Sequence, residues 1–320
     1  MIRNSVSIVI PIKNGMNYLP QVFQALETLD YDSSFEVLCI DSGSRDGSIE
    51  LVRDYGYTLL EIKPEEFGHG RTRNFGASQS QSEFIVFLTH DAIPAHAQWL
   101  SELIRPMRDD ARVAGVFSRH RAHYGADPFT CHELDQGFEN LKPFPVVEID
   151  DPARYRDDIL LRQIYHFFSD NSSALRRSVW ETHPLPEVDF AEDQIWANTI
   201  LEAGFKKAYA HNSVIRHSHA FGPYETMRRS FDESRAFRKL FGYQLCKSRQ
   251  ELFKSAIYLI RRDMGLAIRN GWAFKHPWIT LSRLGQAVTK PLGHYLGARA
   301  EMSQGWQDHL SRDQWVKQTT

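Results

Sequence analysis

Glu192 and Asp193 stand side by side in FAEDQIWANTILEAG, and a single Asp91 follows the apolar run FIVFL in FLTHDAIP. The acid pair opens a helix-like stretch. A helix N-terminus stabilises a carboxylate anion, and an anion held there is suited to accept a proton. Acids are also ordinary in a first helical turn, so the pair alone decides nothing. Asp91 faces a similar choice, between a turn residue and an oxygen ligand for a divalent ion. His217 and His219 in VIRHSHAF are two apart, which on a strand turns both imidazoles to one side. Asp41 ends the strand-like FEVLCI and begins the turn DSGSRDGS, where its carboxylate can only accept hydrogen bonds.

The surrounding pattern says what would position these groups. β-Branched and apolar runs at residues 5–12, 35–40, 57–62, 84–88 and 112–118 read as strands. Between them, residues 17–29, 49–55 and roughly 97–108 have helical spacing, and the Gly-containing loop 65–74 leads into a helix through about Gln81. Alternating strands and helices predict an α/β fold with a mostly parallel, Rossmann-like sheet and helices on both faces. Ligands then bind beyond the carboxyl ends of the strands. Pro11 to Asn14, Asp41 to Ser44 and Thr89 to Asp91 all fall there. Residues 120–165, broken by four prolines, read as a long irregular loop with short helices. A helix from Glu192 to Gly204 and a strand near 208–215 follow, and residues 224–300 read as mostly helical.

Bulk properties narrow the class. The 320 residues carry a net charge of −2, with no global pull toward nucleic acid. Three scattered cysteines make neither a zinc site nor a disulfide framework, which fits a reducing compartment. No apolar run approaches a membrane span, and MIRNSVSIVI enters a strand without a cleavage region, so no signal peptide is expected. These features predict a cytoplasmic protein. The charge is uneven: residues 221–320 hold 17 Lys and Arg against 8 acids, leaving the first 220 residues acidic. The expected division is a catalytic domain over 1–222 and a basic helical extension over 223–320. A membrane surface, a second copy of the chain or the catalytic domain is the expected partner of that extension.

Six stretches in order, SIVIPIKNG, IDSGSRDGS, RTRNFGASQS, FLTHDA, FAEDQIWA and VIRHSH, resemble family 2 glycosyltransferases with the GT-A fold. EEFGHGRTRN together with THDA is most similar to the bacterial rhamnosyltransferase branch. The resemblance covers about residues 5–240. It implies an inverting, metal-dependent transfer of a sugar, L-rhamnose from dTDP-L-rhamnose, onto a polysaccharide, lipopolysaccharide or lipid-linked glycan. A UDP-sugar donor is the alternative. It further implies that Asp193 takes the acceptor proton while Glu192 positions the acceptor. Asp91, with His217 or His219, would hold Mg²⁺ or Mn²⁺. Pro11, Asp41, Arg73 and Thr89 would line the donor nucleotide, with Arg71 as the alternative to Arg73. Glu66 and His69 would meet the donor sugar. The chain departs from the family's D-x-D triplet, which reads Thr89-His90-Asp91 here and leaves one carboxylate. That departure keeps open a rival of another class, a non-catalytic glycan-binding protein on the same fold. A nucleotidyltransferase is disfavoured, because IPIKNGMNYLP lacks a Gly-rich triphosphate loop. Arg176 or Arg177 is a further candidate to clamp a diphosphate.

Overall fold

The computed structural model describes residues 4–299 except 189 and 243, together with 305 and 309–312. They divide into two compact units, Met1–Tyr124 with Glu133–Ser218, and Gly125–His132 with His219–Thr320.

In the first unit, strand β1 (Val6–Ile12) is followed by α1 (Leu19–Glu27), β2 (Phe35–Asp41), α2 (Ser48–Asp54) and β3 (Thr58–Glu61). The strand β1 is apolar on both faces because it lies inside the sheet, paired parallel to β2 and to β4 (Phe84–Leu88). Leu19, Val22, Phe23 and Leu26 recur at helical spacing and form the buried face of α1, with Pro20 in its first turn. Between β3 and β4 lies α3 (His69–Ser78), which starts inside the stretch expected to be a loop. Its glycines mislead as loop signals. A Cβ on Gly76 would lie 2.4 Å from Val9, and one on Gly70 would lie 2.2 Å from the Pro186 carbonyl oxygen, so these residues let the helix press close.

The short β5 (Ile93–Pro94), α4 (Trp99–Asp109) and β6 (Val113–Arg121) come next. The segment expected to be irregular contains α5 (Pro128–Glu139), β7 (Val146–Val147), α6 (Pro152–Asp157) and α7 (Ile159–His166). Asp151 and Asp158 cap α6 and α7 by accepting backbone N–H bonds, so short helices form among the prolines. The unit closes with β8 (Ser172–Arg176), α8 (Arg177–Trp180), α9 (Glu192–Glu202) and β9 (Lys206–Arg216). The sheet order is β3-β2-β1-β4-β8-β6-β9-β5, with β7 on β9. Its first half is parallel as expected, but β8 runs antiparallel to both β4 and β6. The start of β8 therefore lies beside the end of β4, and the residues before it enter the ligand crevice. Trp180 and Trp196 are buried in the core on this side of the sheet.

The second unit holds α10 (Pro223–Phe241), α11 (Arg249–Arg269), α12 (Trp272–Lys275) and α13 (Pro277–Gly297). Helix α13 lies tightly on α10, where a Cβ on Gly293 would meet the Met227 carbonyl oxygen at 2.2 Å and one on Gly297 the Phe231 carbonyl oxygen at 2.3 Å. Gly293→Ala is therefore expected to force these helices apart and cost about 1–3 kcal/mol, read as a lower midpoint in denaturant.

Candidate active site

The carboxyl ends of β1, β2, β4, β6 and β9 meet the amino end of β8 along one edge of the sheet. Asp41 is the last residue of β2 and is buried. Its Oδ2 accepts bonds from the backbone N–H groups of Gly43 at 2.7 Å and Ser44 at 2.9 Å, which fixes the turn. Its Oδ1 is buried with no hydrogen-bond partner. An orphaned buried carboxylate oxygen is costly unless a ligand completes it. The opposing β1 loop is tied to this turn, with Lys13 Nζ donating to the Ser42 and Gly43 carbonyls and the Asn14 N–H donating to Ser44. The Pro11 carbonyl sits 3.3 Å from His90 Nδ1.

Beyond β4, a tight turn closes from Ala92 N–H to the Thr89 carbonyl, and Thr89 N–H donates to the Asn171 carbonyl. Thr89 Oγ1 is another buried polar atom with no partner. Asp91 Oδ2 lies 3.4 Å from Nε2 of His217, which follows β9. His219 is two residues further on, just past the boundary of this unit. Ligand atoms of Asp91, His217 and His219 all lie within 4.8 Å of one another. A carboxylate with two imidazoles is a donor set that suits a divalent cation. His120 and His123 surround His217, with ring centroids 5.6 and 6.4 Å away. Burial first, then His217, lowers the proton affinity of both rings, His120 the more strongly. Neither residue stood out in the sequence; the only signal was SRHRAH at the end of a strand.

The third cluster is acidic. Glu192 and Asp193 open α9, after Ala191 in a left-handed conformation at φ 61°. Glu192 Oε1 accepts from Arg73 Nη1 at 3.0 Å. The buried Arg73 guanidinium also donates to the Asp170 carbonyl at 3.3 Å, and its Nε lies 3.9 Å from Asp170 Oδ2. Asp193 Oδ2 accepts from the Asp170 N–H at 3.3 Å. Three carboxylates thus gather near one guanidinium. Burial, followed by the Glu192 and Asp170 charges, pushes the Asp193 carboxyl well above the usual range. Burial also pushes Asp170 up to about 6. This corrects the picture of an anion favoured by the helix end, because desolvation and like charge outweigh the dipole.

The folded Asp170 releases its proton later than the unfolded one. Its stabilising share is complete at the acid end and is lost as pH rises through about 6. A base in this cluster has to lose its proton to work, so activity should rise on the acid limb at a pH above the ordinary carboxylate range of about 4. A kcat/KM profile checks this; a limb near 4 would contradict it.

Arg73 therefore stands with the acids, while Arg71 on the same helix is exposed. Glu66 is exposed and caps the turn at Pro64–Glu66 by accepting from Lys63 N–H, and His69 is exposed at the head of α3. Arg176 and Arg177 lie at the opposite edge of the sheet. Arg176 donates to the carbonyls of Met107 and Val113, and Arg177 to the carbonyl of Ser82, so both anchor structure rather than phosphate. Asp170 was missed in the sequence, where its only signal was the polar run DNSS between apolar strand-like residues.

Comparison with known proteins fits this geometry. Residues 7–183 match the pattern of glycosyl transferase family 2. The chain belongs to that family. This glycosyltransferase is 33% identical over 235 residues to the O-antigen chain rhamnosyltransferase WbaN of Salmonella anatum, covering 71% of this chain and 70% of the relative. It is 31% identical over 234 residues to the O-antigen chain rhamnosyltransferase RfbN of Salmonella typhimurium, with 71% and 70% covered. Among solved structures, it resembles a Pyrobaculum calidifontis mannosyltransferase in complex with GDP-Man and Mn²⁺, at TM-score 0.59 and 16% identity over 91% of this chain and 86% of the other. It also resembles Staphylococcus aureus TarS 1–349 in complex with UDP, at TM-score 0.53 and 15% identity over 94% and 95%. These likenesses establish the GT-A fold of the glycosyltransferase.

Proposed function

We propose that this glycosyltransferase moves L-rhamnose from dTDP-L-rhamnose, with inversion at the anomeric carbon, onto a growing O-antigen-type glycan on a lipid carrier. The observation that carries the chemistry is the gathering of Asp193, Glu192 and Asp170 about the buried Arg73 at the ligand edge of the sheet. Asp193 accepts the hydrogen of the acceptor hydroxyl as that oxygen attacks the anomeric carbon and the bond to the diphosphate breaks on the opposite face. Glu192, fixed by Arg73, orients the acceptor. A single attack gives one inversion. Asp41 Oδ1 accepts the imide N–H of the pyrimidine, and Thr89 and Pro11 line the nucleoside. Glu66 and His69 face the donor sugar. Asp91 with His217 and His219 would hold a divalent cation, for which their mixed oxygen and nitrogen donors suit Mn²⁺ better than Mg²⁺. Such a cation offsets the charge growing on the leaving diphosphate. The setting is the cytoplasmic face of a membrane carrying the acceptor.

Support for rhamnose comes from the two O-antigen rhamnosyltransferase relatives. The test is to incubate the protein with dTDP-L-rhamnose or a panel of UDP-sugars and an O-antigen-type acceptor, and follow nucleotide release and acceptor mass. Gain of a deoxyhexose from the dTDP donor supports the proposal; transfer only from a UDP-sugar replaces the donor while keeping the transferase. Thymine and uracil present the same imide, so Asp41 serves either. Asp41→Asn substitutes a possible donor for part of a pure acceptor and is expected to weaken dTDP binding by about tenfold or more, measured by calorimetry.

A further inference from the structure

The C-terminal unit leaves apolar side chains uncovered on its helical hairpin. On α11, Phe253 is 65% exposed, and Ile257 and Ile268 continue its stripe at helical spacing. At the turn and along α13, Phe274 is 86% exposed and Trp278 78%, followed by exposed Leu281 and Val288. Helices α11 and α13 run antiparallel. Asp263 near the end of α11 pairs with Arg283 near the start of α13, while Lys254 and Tyr258 share a cavity wall with Lys290 and His294. At 100° per residue, Phe253, Ile257 and Ile268 lie roughly 100° around α11 from Asp263, and Leu281 and Val288 roughly 150° around α13 from Arg283. Both stripes are thus turned away from the contact between the two helices.

Positive charge accompanies these exposed apolar side chains. Residues 249–299 contain nine Lys and Arg and only two acids, Glu251 and Asp263. Asp263 is buried between Arg262 and Arg283. Lys254, Arg261, Arg269 and Lys275 are exposed. A second copy packed across a two-fold axis would set these cations against themselves. Anionic headgroups meet them with opposite charge, and aromatic side chains such as Trp278 and Tyr258 favour the boundary between headgroup and acyl chain. Among the described residues, no helix is long and apolar enough to cross a membrane. From this charge and composition we infer that the exposed apolar and basic surface of the α11–α13 hairpin docks on an anionic lipid bilayer. The inference deepens the proposed lipid-linked acceptor by naming the surface that would bring the chain to it.

The test is flotation of the full chain with vesicles of phosphatidylglycerol and phosphatidylcholine, or of phosphatidylcholine alone, at low and high salt. Two double variants accompany the wild type, Phe274→Ser with Trp278→Ser and Lys254→Glu with Arg261→Glu. All four positions are exposed, so unchanged melting curves are expected. The wild type should float with the anionic vesicles, and at least about tenfold less with neutral vesicles or at high salt. Losing one cation should weaken partitioning about fivefold, so the reversed pair should lose about 25-fold or more. The aromatic pair should weaken it at both salt concentrations. No binding to anionic vesicles, or binding unchanged in both variants, overturns the inference. So does a concentration-dependent dimer that the aromatic variant breaks while vesicles capture nothing. Calorimetry with dTDP on the same variants reports the donor site separately, so either conclusion can fail alone.

Discussion

Asp193→Asn is expected to lower kcat for sugar transfer by about 10²–10⁴-fold while leaving dTDP affinity near that of the wild type. The amide keeps the shape of the side chain, and its one oxygen can still accept from either the Asp170 or the Gln194 N–H, which now bond different carboxylate oxygens. It cannot take the acceptor proton. It also removes one of three clustered acids, so the fold should gain or hold stability rather than lose it. Unchanged melting with collapsed turnover is the predicted pair of results from thermal denaturation and product assay. Glu192→Gln should behave differently. It weakens a buried ion pair with Arg73 at 3.0 Å, so it should cost stability as well as acceptor binding.

Asp91→Ala is expected to remove the divalent-ion dependence of nucleotide binding. Wild-type affinity for dTDP should fall when EDTA replaces Mn²⁺, and the variant should bind equally weakly in both. Asp91 supplies the sole carboxylate of the Thr89-His90-Asp91 triplet, and its Oδ2 lies 3.4 Å from His217. Loss of a group that merely supports a metal ligand costs about 10–100-fold in metal affinity, so loss of the carboxylate itself should cost no less. Calorimetry of Mn²⁺ alone gives a readout independent of catalysis. His217→Ala should show the same direction with an added loss of stability, since the ring is buried against His120 and Asn171. Wild-type affinity that ignores EDTA would leave Asp91 as a turn residue.

The parts legible in the sequence were those where one local pattern carries the information. VSIVIPI and FIVFL are largely apolar runs because both faces of a central parallel strand are covered, so their ends marked the crevice at Pro11 to Asn14 and at Asp91. His217 and His219 announced themselves by a spacing of two. What stayed hidden depends on partners distant in sequence. Asp170 enters the acid cluster only because β8 turns antiparallel beside β4, setting it against Arg73, 97 positions away. Nothing in SSALR distinguishes an antiparallel strand from a parallel one. The start of α3 at His69 was masked by glycines whose role is close contact with Val9 and Pro186 rather than chain reversal. Helix-end logic alone misjudged Asp193, since its carboxyl responds more to burial, Glu192 and Asp170 than to the backbone dipole.

The most direct test follows dTDP-L-rhamnose and acceptor by proton NMR, with wild type and Asp193→Asn each saturated with donor. The account predicts that wild type consumes the donor and yields a glycoside whose anomeric configuration is opposite to that of the donor, while Asp193→Asn, fully loaded, leaves both substrates unchanged over the same interval. Turnover by Asp193→Asn at the wild-type rate, or a product that keeps the donor's anomeric configuration, would contradict it.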